Sequence, residues 1–251
     1  MTESVIQPPA EPPGMLFDLD GTLIDSVYQH VLAWQQALSG FGIDLSVWKI
    51  HRRIGMSGGL FVSALMRETG SPLSPDEIRA LNLAHARAYI QRRDTVRPLP
   101  GARELLATLT EHKVRWAIAT SGLAIAAQPA LDTLRLPADT PLVTRDQVRH
   151  AKPDLDLFLA AAARVGTDIH SAVVVGDSIW DLLAARRAGA LGVGLLSGGY
   201  GREELERAGA YRVYADPADL LLHLDEIGIR DMAPIPVTDI CSSDVSARRE
   251  R

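Results

Sequence analysis

Met15-Leu16-Phe17-Asp18-Leu19-Asp20-Gly21-Thr22-Leu23 decides the reading of this chain. A short apolar approach ends abruptly in two carboxylates, a glycine and a hydroxyl. The pattern predicts a buried strand with Asp18 at its carboxyl end, Asp20 in the loop just beyond, and a sharp bend at Gly21. In an open α/β sheet that edge is where ligands bind. Two carboxylates this close repel one another, so a divalent cation is their natural third party. An ordinary acidic turn would account for Asp-Leu-Asp alone, and the remaining sequence weighs against it.

Three further segments follow the same plan, each ending an apolar run or opening a helix: Ile118-Ala119-Thr120-Ser121-Gly122, Ala151-Lys152-Pro153-Asp154, and Val174-Val175-Gly176-Asp177-Ser178-Ile179-Trp180-Asp181. If a helix starts directly after Asp177, Asp181 faces the same way, four residues on. Short apolar runs at 114–120, 142–144, 172–176, 191–195 and 212–214 read as buried strands. Helices are predicted between them, over 102–111, 126–134, 155–165, 182–188, 203–208 and 218–227. Alternating strand and helix implies an α/β fold with a parallel sheet and right-handed crossovers.

Between the first segment and Pro98-Leu99-Pro100-Gly101 no strand signal appears. Val27, Val31, Trp34 and Leu38 recur at helical spacing, and 47–54, 60–68 and 75–92 read as further helices. The expected organisation is a lead at 1–14, a core at 15–27 and 96–230, a helical insert at 28–95, and a tail at 231–251. The lead holds Pro8, Pro9, Pro12 and Pro13 without a periodic apolar face, and the tail loses all periodicity.

In this order the four segments resemble the four motifs of the haloacid dehalogenase-like (HAD) hydrolases, a resemblance covering roughly residues 15 to 200. It implies a Rossmann-like sheet with its first strand central and helices on both faces, plus a small all-α cap inserted after the first motif. It also implies phosphoryl chemistry, in which positioning and charge neutralisation do most of the work. Asp18 would attack phosphorus and become an aspartyl phosphate. Asp20 would protonate the leaving oxygen and later activate water, which requires it to be protonated at the first step, a state favoured by the neighbouring carboxylate and opposed by the metal. Mg²⁺ would be held by Asp18, the Asp20 backbone carbonyl and Asp177, with Asp181 in support. Thr120 and the Ser121 amide would hold the phosphate, and Lys152 would neutralise charge on it and on Asp18.

Within the family, dehalogenases lack the second aspartate of the first motif, and Asp20 is present here. Tyr28, His30 and Trp34 are similar to an arrangement in the phosphoglucose mutase branch. That branch, however, carries an arginine where this chain has Gly58 and a glutamate where it has Gly176, so hydrolysis is the expectation. The cap loop 55–59, with Ser57 and Gly58, either shapes specificity or merely breaks and restarts helices. His30 stands either near the leaving group or packed within its helix. The expected function is a Mg²⁺-dependent phosphatase of a small phosphorylated metabolite, of the sugar phosphate or phosphoglycolate class. A mutase and a non-catalytic ligand-binding scaffold are the alternatives.

Composition agrees with this frame. At 251 residues, 47% hydrophobic and 23% charged, the chain can bury a full core and a smaller second unit. A net charge of −5 argues against nucleic acid held through a general electrostatic footprint. The arginine pairs at 92–93, 186–187 and 248–249 read as solvated faces. No apolar run reaches the roughly 18 residues that span a bilayer, and residues 1–14 lack the pattern of a secretory signal, so a cytoplasmic location without membrane contact is expected. The single Cys241 forms no internal disulfide. Monomer and homodimer are equally compatible with the sequence.

Overall fold

The computed structural model describes residues 12–70 and 72–230. Most of the proline-rich lead, the whole tail, Cys241 and the arginine pair at 248–249 lie outside the described residues.

The chain enters through β1 (Gly14–Phe17), turns at Gly21 and forms the two-residue β2 (Ile24–Asp25). Four helices follow: α1 (Val27–Gly40), α2 (Val47–His51), α3 (Gly58–Thr69) and α4 (Pro75–Ile90). The return strand β3 (Arg97–Pro98) pairs antiparallel with β2, Ile24 opposite Pro98 and Asp25 opposite Arg97. The two strands of chain joining insert to core are thus tied together. Nothing in the sequence signals this pair, because two-residue strands have no periodicity and the partners are far apart in the chain.

After β3 come α5 (Ala102–Glu111), β4 (Trp116–Ala119), α6 (Ala124–Leu134), β5 (Leu142–Val143), α7 (Asp156–Arg164), β6 (Ala172–Gly176), α8 (Ile179–Ala188), β7 (Leu191–Leu195), α9 (Arg202–Ala208), β8 (Ala210–Tyr214) and α10 (Pro217–Leu222). The sheet order is β5-β4-β1-β6-β7-β8, and every pairing is parallel. β1 is therefore an interior strand, with Phe17 aligned on Ile118 at one side and on Val175 at the other.

Because side chains alternate along a strand, each strand supplies two cores. Met15, Phe17, Ile118, Val173 and Val175 face α5, α6 and α10, where Leu105, Leu109, Ala130 and Leu220 meet them. Leu16, Ala117, Ala119 and Val174 face the opposite side, against Leu157, Phe158 and Ala161 of α7 and Ala184 and Ala185 of α8. This is the α/β core with helices on both faces that the sequence predicts.

The insert has a core of its own, built from Val31, Trp34 and Leu38 of α1, Ile50 of α2, Phe61, Val62 and Leu65 of α3, and Leu81 of α4. Its helices carry local start signals. The Ser57 hydroxyl accepts from the Leu60 amide at 3.4 Å, and Ser74 and Glu77 form a capping box ahead of α4 with Pro75 in its first turn. The predicted helix over 47–54 stops at His51, and that over 218–227 breaks at His223 into a short 3₁₀ turn, Leu224–Ile227.

Gly101 tests how the second linker is docked. Its φ of +73° is left-handed, and a Cβ there would lie 2.4 Å from the Ala218 Cα and 2.6 Å from its nitrogen. Gly101→Ala is expected to lower unfolding stability by more than about 2 kcal/mol, since neither the conformation nor the backbone contact accommodates a methyl. Gly40 meets nothing within 4 Å, so Gly40→Ala should leave stability unchanged or raise it by up to about 1 kcal/mol. Urea denaturation of the two variants measures both, and equal effects would refute the docking described.

Candidate active site

The parallel sheet brings the polar ends of three strands together. Asp18 follows β1, Thr120 follows β4 and Asp177 follows β6; all three are buried. The Asp18 amide donates to the Val175 carbonyl at 2.9 Å and the Thr120 amide to the Val143 carbonyl at 2.9 Å, which locks each to the neighbouring strand. Lys152 comes from the loop ahead of α7 and is fully buried. Its Nζ donates to Asp18 Oδ1 in a short contact and lies 2.8 Å from Asp181 Oδ1.

Asp181 is committed at both oxygens, for its Oδ2 accepts from the Ser178 amide at 3.1 Å and the Ser178 hydroxyl at 2.6 Å. It reaches back this far because Gly176 has no side chain: a Cβ there would lie 2.2 Å from the Asp181 Cβ. Asp177 Oδ1 accepts from the Thr22 hydroxyl at 3.0 Å, and Gly198 covers Oδ2 so closely that a Cβ would come within 1.7 Å of it.

Oxygens of Asp18, Asp177 and Asp181 lie within 4.8 Å of one another, with one ammonium among them. Burial is the largest influence on Asp18 and pushes its carboxyl up to about 7; the charges of Asp181 and Asp20 act the same way and Lys152 opposes them. Burial, then Asp181 and Asp18, hold Asp177 well above the carboxylate range. For Lys152 burial acts downward, but Asp18 and Asp181 outweigh it and its ammonium is held above its ordinary value. The cluster is thus short of positive charge, and its donors are all hard oxygens. A Mg²⁺-type cation fits these residues, with Asp18 and Asp177 as the carboxylates left to hold it.

Asp20 differs from the expectation that its neighbour carboxylate would favour protonation. Burial does push its carboxyl up, but His30 and the Ser26 hydroxyl outweigh that and hold it below the usual range. Oδ1 accepts from Ser26 Oγ at 2.6 Å and lies 3.1 Å from His30 Nε2. Nδ1 of His30 lies 3.2 Å from Nε2 of His85, whose own basicity is driven down by burial and then by His30. Oδ1 of Asp20 is thus shared between the Ser26 hydroxyl and the His30 ring, and His30 is the titratable group in direct contact with it.

Above these groups lies a cavity of about 490 Å³ between core and insert. Asp18, Asp20, His30, Thr120, Ser121 and Gly58 line it. Ser121 Oγ is buried with no hydrogen-bond partner, and the Thr120 hydroxyl accepts from the Gly122 amide at 3.0 Å. Ser57 does not line the cavity: its hydroxyl caps α3, and its amide donates to the Lys152 carbonyl at 3.1 Å. Gly58 is on the wall, and a Cβ there would meet Asn82 Oδ1 at 2.4 Å. Tyr28 stacks on His51 instead of facing the cavity, whereas Trp34 reaches it.

The sequence reading missed Asn82 and His85 on α4, and Arg145 beyond β5, all on the cavity wall. Arg145 had a signal available, since it follows a strand's carboxyl end. The α4 residues had none, because which face of that helix meets the core is a tertiary fact.

The family model described as haloacid dehalogenase-like hydrolase matches residues 13–189, and the chain belongs to that family. It is 31% identical over 214 residues to a phosphoglycolate phosphatase of Caulobacter vibrioides, covering 82% of this chain and 85% of that protein. It is 31% identical over 180 residues to hexitol phosphatase A of Escherichia coli, covering 70% and 79%. A solved hydrolase from Pseudomonas syringae is 54% identical and superposes with a TM-score of 0.85, over 86% of this chain and all of that one. Among the described residues no helix is long and apolar enough to cross a membrane.

The raised Asp18 and Asp177 carboxyls give a pH prediction for protein stripped of divalent cations. Between the unfolded carboxylate value of about 4 and the value of about 7 to which Asp18 is pushed, the folded state binds more protons than the unfolded, and Asp177 acts in the same direction. Stability should then fall as pH rises through that window, and saturating Mg²⁺ should reduce the fall by favouring the ionised carboxylates. His85, whose basicity burial drives down, gives the opposite slope below the ordinary imidazole value of about 6.5, so Tm measured in chelator from about pH 6.5 to about pH 8 checks this. A Tm that is flat or rising would contradict it.

Proposed function

We propose that this chain is a Mg²⁺-dependent phosphatase that hydrolyses a small phosphorylated metabolite through an aspartyl phosphate at Asp18. The observation that carries the reading is the buried Lys152 ammonium between Asp18 and Asp181, with Asp177 beside them and Asp18 itself on the cavity wall. The names of the relatives, phosphoglycolate phosphatase and hexitol phosphatase, suggest the substrate range.

In this mechanism Lys152 holds one Asp18 oxygen and leaves the other to face phosphorus. The Thr120 hydroxyl and the Ser121 hydroxyl and amide receive the phosphate oxygens, and Lys152 offsets part of their charge. Mg²⁺, held by Asp18, Asp177 and the Asp20 carbonyl, would neutralise charge on the transferring group. Asp20 and His30 work as a pair joined at Asp20 Oδ1: the one proton the pair holds is given through the Asp20 carboxyl to the leaving oxygen, and the attacking water later returns one to it. The insert serves as a cap that keeps water away until the leaving group departs. Gly58 favours hydrolysis over the mutase alternative, because no guanidinium stands there to grip a second phosphate.

Phosphate release across a panel of sugar phosphates, phosphoglycolate and nucleotides, with and without Mg²⁺, tests this reading; no release from any would refute it. Asp18→Asn should cut kcat by at least about a thousandfold, or about 4 kcal/mol of barrier, while substrate still binds. A variant retaining more than about a tenth of the activity would remove Asp18 as nucleophile. Asp177→Ala should raise the Mg²⁺ concentration needed for half-maximal activity, and an unchanged titration would exclude it as a ligand.

A further inference from the structure

Three arginines line the cavity, and two are already paired with carboxylates. Arg53 is held by Glu68 and by the Lys49 carbonyl, and Arg79 by Asp76. Arg145 has no carboxylate partner among the described residues. It is half-buried, its Nη1 donates to the Val148 carbonyl at 2.8 Å, and its amide donates to the Gly122 carbonyl at 3.0 Å. The adjacent Asp146, also on the cavity wall, makes no ion pair with it: its Oδ1 accepts from the Ala124 amide at 3.1 Å ahead of α6. A partly desolvated guanidinium with donors to spare, on the wall of a ligand cavity, is built for an oxyanion.

The cavity's size and walls say where that oxyanion belongs. About 490 Å³ falls within the range of roughly 300–1,000 Å³ that encloses whole small-molecule ligands. A phosphate with a two-carbon leaving group would fill little of it. Ile54, Met56, Phe61, Leu83 and Leu123 offer carbon surface around the remainder. The phosphate end already has Lys152, Thr120 and Ser121, so the anion on Arg145 is a second one.

We propose that Arg145 is a specificity-determining residue that binds a carboxylate or second phosphate on the leaving group, and that the preferred substrates are phosphomonoesters of sugar-sized alcohols bearing that second oxyanion. This rests on the phosphatase reading for the phosphate end, but it places the second anion on a residue of the core and not on the loop that holds Gly58.

The test is calorimetric binding to the full chain carrying Asp18→Asn, in Mg²⁺, with two matched pairs: 6-phosphogluconate against glucitol 6-phosphate, and fructose 1,6-bisphosphate against fructose 6-phosphate. The member carrying two anionic groups in at least one pair should bind about tenfold more tightly or better. Which pair responds distinguishes carboxylate from phosphate. Adding Arg145→Gln should bring that ratio close to one, and Arg145→Lys, which keeps the charge without the fork, should restore part of it. Equal affinities within both pairs, a ratio indifferent to Arg145→Gln, or no binding of any of the four would overturn the proposal. Phosphate release from the same compounds by the unaltered chain judges the phosphatase reading separately.

Discussion

The ammonium of Lys152 is fully buried, and the site depends on how it is compensated. A lone buried cation would carry a desolvation penalty of several kcal/mol. Asp18 and Asp181 remove most of it, and they in turn are too many carboxylates for one lysine. The surplus negative charge makes the pocket receptive to a metal ion and fixes the side of Asp18 that faces the cavity. The neighbouring structure serves this cluster. Gly176 lets Asp181 fold back, Gly198 closes on Asp177, and the Ser57 amide of the insert holds the Lys152 carbonyl.

The insert is engaged with the core on two sides of this cluster. Towards the leaving-group end, rings from α1, α3 and α4 stack in a continuous column: Tyr89 on His30 at 3.8 Å, His30 on His85 at 5.3 Å, His85 on Trp34 at 4.1 Å, and Trp34 on Phe61 at 4.1 Å. Such stacking leaves His30 little freedom and so sets the direction of its bond to Asp20. On the other side His51 Nε2 lies 2.8 Å from the Gly198 carbonyl, and Arg52 pairs with Glu204 while lying over the Tyr200 ring. The loop covering Asp177 is therefore in contact with the insert.

Much of this was legible in the chain because the informative residues are local. An apolar strand followed by Asp18, or by Thr120, places a polar group at a sheet edge whatever the distant sequence does. The sequence analysis failed where partners come from far away. It judged Asp20 by its neighbour in the chain, Asp18, whereas the structure sets His30 against it and reverses the shift. It could not see the β2–β3 pair, whose register comes from closing the insert on itself. Ser57 looked like a substrate contact because hydroxyls serve both ligands and helix starts, and here the helix claims it. His85 became a functional candidate only when the face of α4 that meets the cavity was seen, whereas Arg145, just past the carboxyl end of β5, could have been marked from the chain.

The central claim is that Asp18, oriented by Lys152, becomes covalently phosphorylated during turnover. Steady-state turnover of p-nitrophenyl phosphate in Mg²⁺, quenched in acid and reduced with borohydride, tests it most directly, because an acyl phosphate is reduced to the alcohol while a free carboxylate is not. Peptide mass spectrometry should find homoserine at position 18 and unmodified Asp20, Asp177 and Asp181. Sustained phosphate release with Asp18 recovered unmodified, or with the alcohol at another aspartate, would contradict the account.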